Sequence, residues 1–146
     1  MSALGTKTGG CQCGAVRFEL NEAPAEYAAC HCSICRKIGG GVALSAMVPP
    51  GGATWATSDT LKTYDSSDWA ERGFCSACGS SLFWRLKVPG PMQGLMYLSV
   101  GALDAMGDMP FTSEVFIDHK PDTYEFGGDR QRLTQAEVMA MVAGDG

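Results

Sequence analysis

Lysine and arginine never gather into a run in this sequence: 11 basic side chains face 16 acidic ones, for a formal charge of −5. A protein that follows phosphate backbones needs a basic stripe, so no nucleic acid is expected as a partner. No apolar stretch approaches the roughly 20 residues of a membrane-spanning helix. The N-terminal Met1-Ser2-Ala3-Leu4-Gly5-Thr6-Lys7 also has no apolar centre of signal-peptide length. The protein is therefore expected to be soluble and cytoplasmic, with no membrane partner.

Isolated cysteines are missing as well. All seven fall in three groups: Cys11-Gln12-Cys13, Cys30-His31-Cys32-Ser33-Ile34-Cys35 and Cys75-Ser76-Ala77-Cys78. An odd number of tightly spaced thiols without a secretory signal fits metal ligation better than a disulfide framework. A soft dication draws thiolates to about 2.3 Å, and close spacing supplies them at little loop-closure cost. Two zinc ions on seven thiolates would bring the net charge to roughly −8.

Half-sites far apart in sequence commonly combine into one tetrahedral structural zinc. Cys11 and Cys13 with Cys75 and Cys78 make such a complete set. Cys30, Cys32 and Cys35 then leave a second zinc three-coordinate, with a fourth position open to water or a substrate thiolate, as catalytic zinc requires. Spacing alone leaves open the alternative that these three take a thiol from another group. His31 should miss any metal shared by Cys30 and Cys32, since side chains alternate along an extended chain. His119, in a polar turn bounded by proline, is expected to be exposed. Arg36 and Lys37 are read as a solvated turn, or as cations that hold a substrate carboxylate.

The chain has the length of one domain, 1–146, and its 45% hydrophobic content and 19 glycines describe a globular protein of many short strands. Strands are expected around Val16, Phe18 and Leu20, over Glu26–Ala29, along Val42, Leu44 and Ala46, and over 53–56, 61–64, 69–74, 81–86 and 95–100. A further strand would set Val115 and Ile117 on one face and Phe116 on the other. Asp65 to Asp68 reads as a hairpin turn, and Gly79 as the left-handed residue of a zinc-knuckle turn. Ser33 to Ile38 reads as a helical turn closed by Gly39-Gly40-Gly41, a run that serves either as a cap or as bare backbone beside a ligand. A late helix over 133–143 starts at a capping box, Thr134 with Glu137, stapled by Leu133 and Val138. Met139, Met141 and Val142 would face the core, and Gly144-Asp145-Gly146 would fray. The expected class is all-β.

Read in order, Gly10-Cys11-Gln12-Cys13-Gly14-Ala15-Val16-Arg17-Phe18, Cys30-His31-Cys32-Ser33-Ile34-Cys35-Arg36-Lys37, Arg72-Gly73-Phe74-Cys75-Ser76-Ala77-Cys78-Gly79 and Val100-Gly101-Ala102-Leu103-Asp104 carry a resemblance. Over about residues 8 to 126 the chain resembles the glutathione-dependent formaldehyde-activating enzyme family, which includes centromere protein V-like proteins. The resemblance implies a β-tent of small antiparallel sheets, a structural zinc on Cys11, Cys13, Cys75 and Cys78, and a catalytic zinc on Cys30, Cys32 and Cys35. It further implies carbon–sulfur lyase chemistry, the reversible joining of a thiol to an aldehyde, with S-hydroxymethylglutathione as the namesake product. Asp104 and Glu114 are candidate general bases, each read first as structural. Family members often carry histidine where Glu114 stands, and a tryptophan in a Lys-Pro-x-Trp-like stretch where this chain has Lys120-Pro121-Asp122-Thr123. The competing function is a non-catalytic zinc-binding interaction module, since a fold does not decide a function. Exposed strand edges leave a homodimer open.

Overall fold

The computed structural model describes residues 5–145, with side chains to residue 141. Three strands, β1 (Thr8–Gly10), β2 (Arg17–Leu20) and β5 (Ala53–Thr57), form an antiparallel sheet in the order β1-β2-β5. The remaining strands are β3 (Tyr27–Cys30), β4 (Ala43–Val48), β6 (Leu61–Asp65), β7 (Ala70–Cys75), β8 (Ser81–Leu86), β9 (Met96–Ser99), β10 (Phe111–Val115) and β11 (Gln131–Leu133). They join in one sheet ordered β11-β10-β3-β4-β9-β8-β7-β6. Helix α1 (Ser33–Gly39) follows β3, and α2 (Gln135–Asp145) ends the chain.

The period-two pattern places the core between the two sheets. In β2, Phe18 and Leu20 are buried while Arg17 and Glu19 turn outward. They meet Val48, Phe83, Met96 and Leu98 of the larger sheet. Trp55 bridges the layers, its ring 5.5 Å from those of both Phe18 and Phe83. Each such buried side chain contributes about 1.5–3 kcal/mol.

The other face of the larger sheet follows from its register, because directly opposed residues share a face. One row runs Met47, Tyr97, Trp84, Arg72, Tyr64 across β4, β9, β8, β7 and β6. Cys30 opens onto this same face, since its partner Ala43 lies an even number of residues from Met47 along β4.

Four expectations change. The larger sheet is mixed, because β10 runs parallel to both β3 and β11. The strand expected through Ile117 stops at Val115: Phe116 is left-handed at φ 56, ψ 43, and Ile117–His119 is a 3₁₀ turn. Strand β11, too short for a periodic signal, occupies residues assigned in part to the helix, which begins at Gln135. The capping box is present, with Thr134 N–H on Glu137 Oε1 at 2.8 Å and Glu137 N–H on Thr134 Oγ1 at 3.2 Å. Leu133 and Val138 are half-buried beside it. Met139 and Met141, however, are 45% and 56% exposed, because the described part of α2 packs chiefly on β11 and the 3₁₀ turn, at the rim of the fold. Gly144 and Asp145 continue the helix; Val142's side chain and Gly146 lie outside the described residues.

Candidate metal centres

The turn after β1 delivers Cys11 and Cys13, and the turn between β7 and β8 delivers Cys75 and Cys78. Their four sulfurs lie within 4.8 Å of one another. Cys11 and Cys13 are 3.6 Å apart at sulfur, and Cys13 and Cys75 are 3.9 Å apart. Sulfurs at the corners of a tetrahedron about a zinc ion stand ~3.8 Å apart when each bond is about 2.3 Å. Donors converge on the same atoms: Val16 N–H on Cys11 Sγ at 3.2 Å, the Thr60 hydroxyl on Cys75 Sγ at 3.3 Å, and the Ser80 hydroxyl on Cys78 Sγ at 3.2 Å. Ser80 Oγ also accepts from Gln12 N–H at 3.0 Å, which ties the two turns together. The hydroxyl and backbone of Ser80, helped by the Cys13 backbone, hold the Cys78 thiol down at about 5; the Thr60 hydroxyl lowers Cys75. Gly79 sits at φ 82 and donates its N–H to Cys75 O at 2.7 Å, closing the turn where a side chain would be strained. Four converging sulfurs, three of them met by N–H or hydroxyl groups, suit a tetrahedral thiophilic ion.

Cys30, Cys32 and Cys35 form a second group, also within 4.8 Å at sulfur, and among the described residues no fourth cysteine, histidine or carboxylate joins it. Strand β3 ends at Cys30. Cys32 is the N-cap of α1, extended at φ −65, ψ 157, and its Sγ accepts from Cys35 N–H at 3.4 Å where a serine or aspartate oxygen usually does so. The Cys30 and Cys35 thiols, and then the backbone N–H groups of Cys35 and Ile34, bring Cys32 down to about 2; contact with Cys32 pushes Cys30 upward. Helix α1 ends as a glycine cap, with Gly40 at φ 85 and its N–H on Arg36 O at 2.8 Å. Arg36 and Lys37 are exposed. A cavity of about 160 Å³ lies alongside, lined by His31, Ser33, Arg36, His119 and Pro121.

Two residues support this group and its flank through contacts with partners far away in the chain. Arg72 is only 8% exposed; both its Nη atoms lie 3.6 Å from Cys35 Sγ, and Nε donates to Ser66 Oγ at 3.3 Å. Arg72 and Cys75 are three apart on β7, so the pleat sends them to opposite faces and one strand serves both centres. That spacing was the available signal. The second support is Glu114, 1% exposed, which accepts from His31 Nε2 at 2.9 Å, Arg130 Nη1 at 2.9 Å and Arg132 Nε at 3.0 Å. Burial raises the Glu114 carboxyl, but the bonds from His31, Arg130 and Arg132 outweigh it and leave it lowered. Arg130 and Arg132 stand two apart, the spacing that places both on one side of an extended chain.

His31 thus turns away from the sulfurs, as expected, but into a buried ion cluster, beside the rings of Tyr124 at 6.3 Å and Phe126 at 6.2 Å. His119 is exposed and hydrogen-bonds Gln135 at 2.8 Å. Neither candidate base is available. Both Glu114 oxygens are occupied, and Asp104 is tied to Arg17 and Thr8, Arg17 chiefly holding it at about 2. Among the described residues, no helix is long and apolar enough to cross a membrane.

Known proteins are similar to this chain in sequence and in fold. A Schizosaccharomyces pombe protein named only as an uncharacterized lyase is 27% identical over 139 residues, covering 92% of this chain and 95% of that one. A Halomonas elongata protein that carries the provisional name glutathione-dependent formaldehyde-activating enzyme is 31% identical over 142 residues, covering 84% and 82%. The crystal structure of a Rhodobacter sphaeroides protein superposes with a TM-score of 0.55 at 25% identity, covering 72% of this chain and 99% of that one. The family described as glutathione-dependent formaldehyde-activating enzyme matches residues 6–119, which take in all seven cysteines, and the chain belongs to that family.

Proposed function

We propose that residues 1–146 form one cytoplasmic, zinc-dependent carbon–sulfur lyase domain that joins and splits thiol–aldehyde adducts of the S-hydroxymethylglutathione kind. The observation that carries the reading is the second cysteine group: three sulfurs within 4.8 Å, no fourth ligand among the described residues, and a buried arginine against one sulfur. A zinc ion there would supply a Lewis-acidic position for one more sulfur or oxygen ligand. Cys30, Cys32 and Cys35 would hold it, and Cys11, Cys13, Cys75 and Cys78 would hold a structural zinc.

The protein's own groups set the conditions around the reacting sulfur. Arg72 aims two N–H groups at Cys35 and offsets the excess negative charge of three thiolates on one dication. His31, locked to Glu114, fixes the backbone between Cys30 and Cys32. In splitting, the carbon–sulfur bond breaks with its electron pair left on sulfur, the adduct hydroxyl gives its proton to water, and the carbonyl forms. Joining is the reverse, and no oxidant or reductant enters.

The test is zinc content together with thiol binding. Wild-type protein is expected to hold two zinc ions per chain, and Cys32→Ser one while keeping its circular dichroism spectrum. Calorimetric titration of zinc-loaded protein with glutathione, with and without formaldehyde, should show thiol binding that Cys32→Ser abolishes. A single zinc that Cys32→Ser does not alter, with no thiol bound, would leave a zinc-binding interaction module instead.

A further inference from the structure

The outer face of the larger sheet is apolar over a continuous stretch. Trp84 of β8 stands edge-on to Tyr97 of β9 at 5.3 Å and to Trp69, in the turn just before β7, at 5.5 Å, so the three rings form a ladder. Met47 is 53% exposed, Trp69 45% and Tyr97 37%. Single exposed apolar residues need no explanation, but a contiguous group does.

The ladder leads to the three-cysteine centre. Trp84 is the register partner of Arg72, whose guanidinium reaches Cys35 Sγ at 3.6 Å. Opposed residues on antiparallel strands have Cβ atoms about 4.5–5.5 Å apart, so the indole begins one strand spacing from the arginine that touches sulfur. On α1, Ile38 follows Cys35 by three residues, shares its side of the helix and is 37% exposed. The combined surface is charged at the sulfur end and apolar beyond it, the complement of a thiolate with a large hydrocarbon group. Its length, about two strand spacings or roughly 10 Å, suits a small molecule.

Resting on the lyase reading above, we infer that the ladder Trp69, Trp84 and Tyr97 binds the organic part of the substrate, and that this part is an aryl or comparably large apolar group. Aromatic rings supply such a wall at low entropic cost and accept a further ring edge-on or offset.

The test compares phenylmethanethiol with 2-mercaptoethanol on zinc-loaded, full-length protein, by calorimetry and tryptophan quenching. Phenylmethanethiol is expected to bind about tenfold more tightly, the scale of burying most of one ring less the cost of ordering it. Trp84→Leu should bring the ratio of the two affinities toward one. Trp69→Leu, at an exposed position that leaves the core intact, should do the same and guards against a folding defect. Equal affinities in the wild type, or a ratio that survives both substitutions, would overturn the inference and leave the lyase reading standing. Failure of both thiols to bind would remove that reading and the inference together. A dimer seen in sedimentation that Trp69→Leu dissociates, with the affinity ratio intact, would make the ladder a self-association face and overturn the inference as well.

Discussion

Cys13 and Cys75, neighbours in the four-cysteine centre, are 62 residues apart in the chain, whereas Cys30, Cys32 and Cys35 fit within one short segment. Their supports are arranged the other way round. The distributed centre is braced from nearer at hand: Val16 and Ser80 stand 5 and 2 residues from the sulfurs they touch, and Thr60 stands 15 away. The local centre relies on distant residues: Arg72 lies 37 positions from Cys35, and Glu114 lies 83 from His31. A centre that collects remote ligands staples the chain. A centre with contiguous ligands leaves the fold free to choose what stands around it, here an arginine and an uncovered direction.

The comparison is broken most forcefully at Cys75, a sulfur with no exposure at all. Cys75→Ser is expected to cost an appreciable part of the about 5–15 kcal/mol that holds a domain of this size. Calorimetry should show the cooperative transition lost or strongly lowered; wild-type melting would mean the four-cysteine centre staples nothing. Next comes Glu114→Ala, which strands Arg130 and His31 without their carboxylate. About 3–5 kcal/mol should be lost in urea unfolding at neutral pH. Because the folded-state Glu114 carboxyl is lowered, its contribution is complete above the ordinary carboxylate value of about 4.3 and is lost as the pH falls through and below it. Glu114→Ala should flatten the acid limb of the stability profile, and an unaltered limb would remove Glu114 from that role.

The smallest effect sharpens the contrast. Arg72→Met should weaken metal retention at the three-cysteine centre by about 10–100-fold in chelator competition and leave the four-cysteine ion in place. Arg72→Lys keeps the charge but not the two-pronged contact, so it should recover only part of the loss. Equal loss from both centres would mean that Arg72 acts on the fold at large.

Much of this was legible in the residues because the signals are dense and local. Close spacing gathers seven cysteines into three groups, and the pattern of Phe18 and Leu20 against Arg17 and Glu19 fixes a strand face without reference to anything distant. The capping box at Thr134 and the glycine end of α1 are short-range hydrogen-bond arrangements for the same reason. The parallel insertion of β10 between β3 and β11 was not legible, since local periodicity says nothing about which strand lies beside which. The contacts of Arg72 with Cys35 and of Glu114 with His31 were hidden for that reason: each joins residues far apart in the chain that only the tertiary fold brings together. Phe116 escaped because an alternating apolar pattern is compatible with a strand until one residue adopts left-handed backbone, and nothing in Val115-Phe116-Ile117 announces that.

The parallel pairing of β3 with β10 also imposes an order in time. A nascent chain emerges from its N-terminus, so the thiols of Cys30 to Cys35 are available long before Glu114, Arg130 and Arg132 exist to back them. The four-cysteine centre cannot close until Cys78 has been made. A metal could therefore be captured by the short segment before folding, whereas an ion in the four-cysteine group would have to wait for half of the chain, and the ion cluster behind His31 is sealed last.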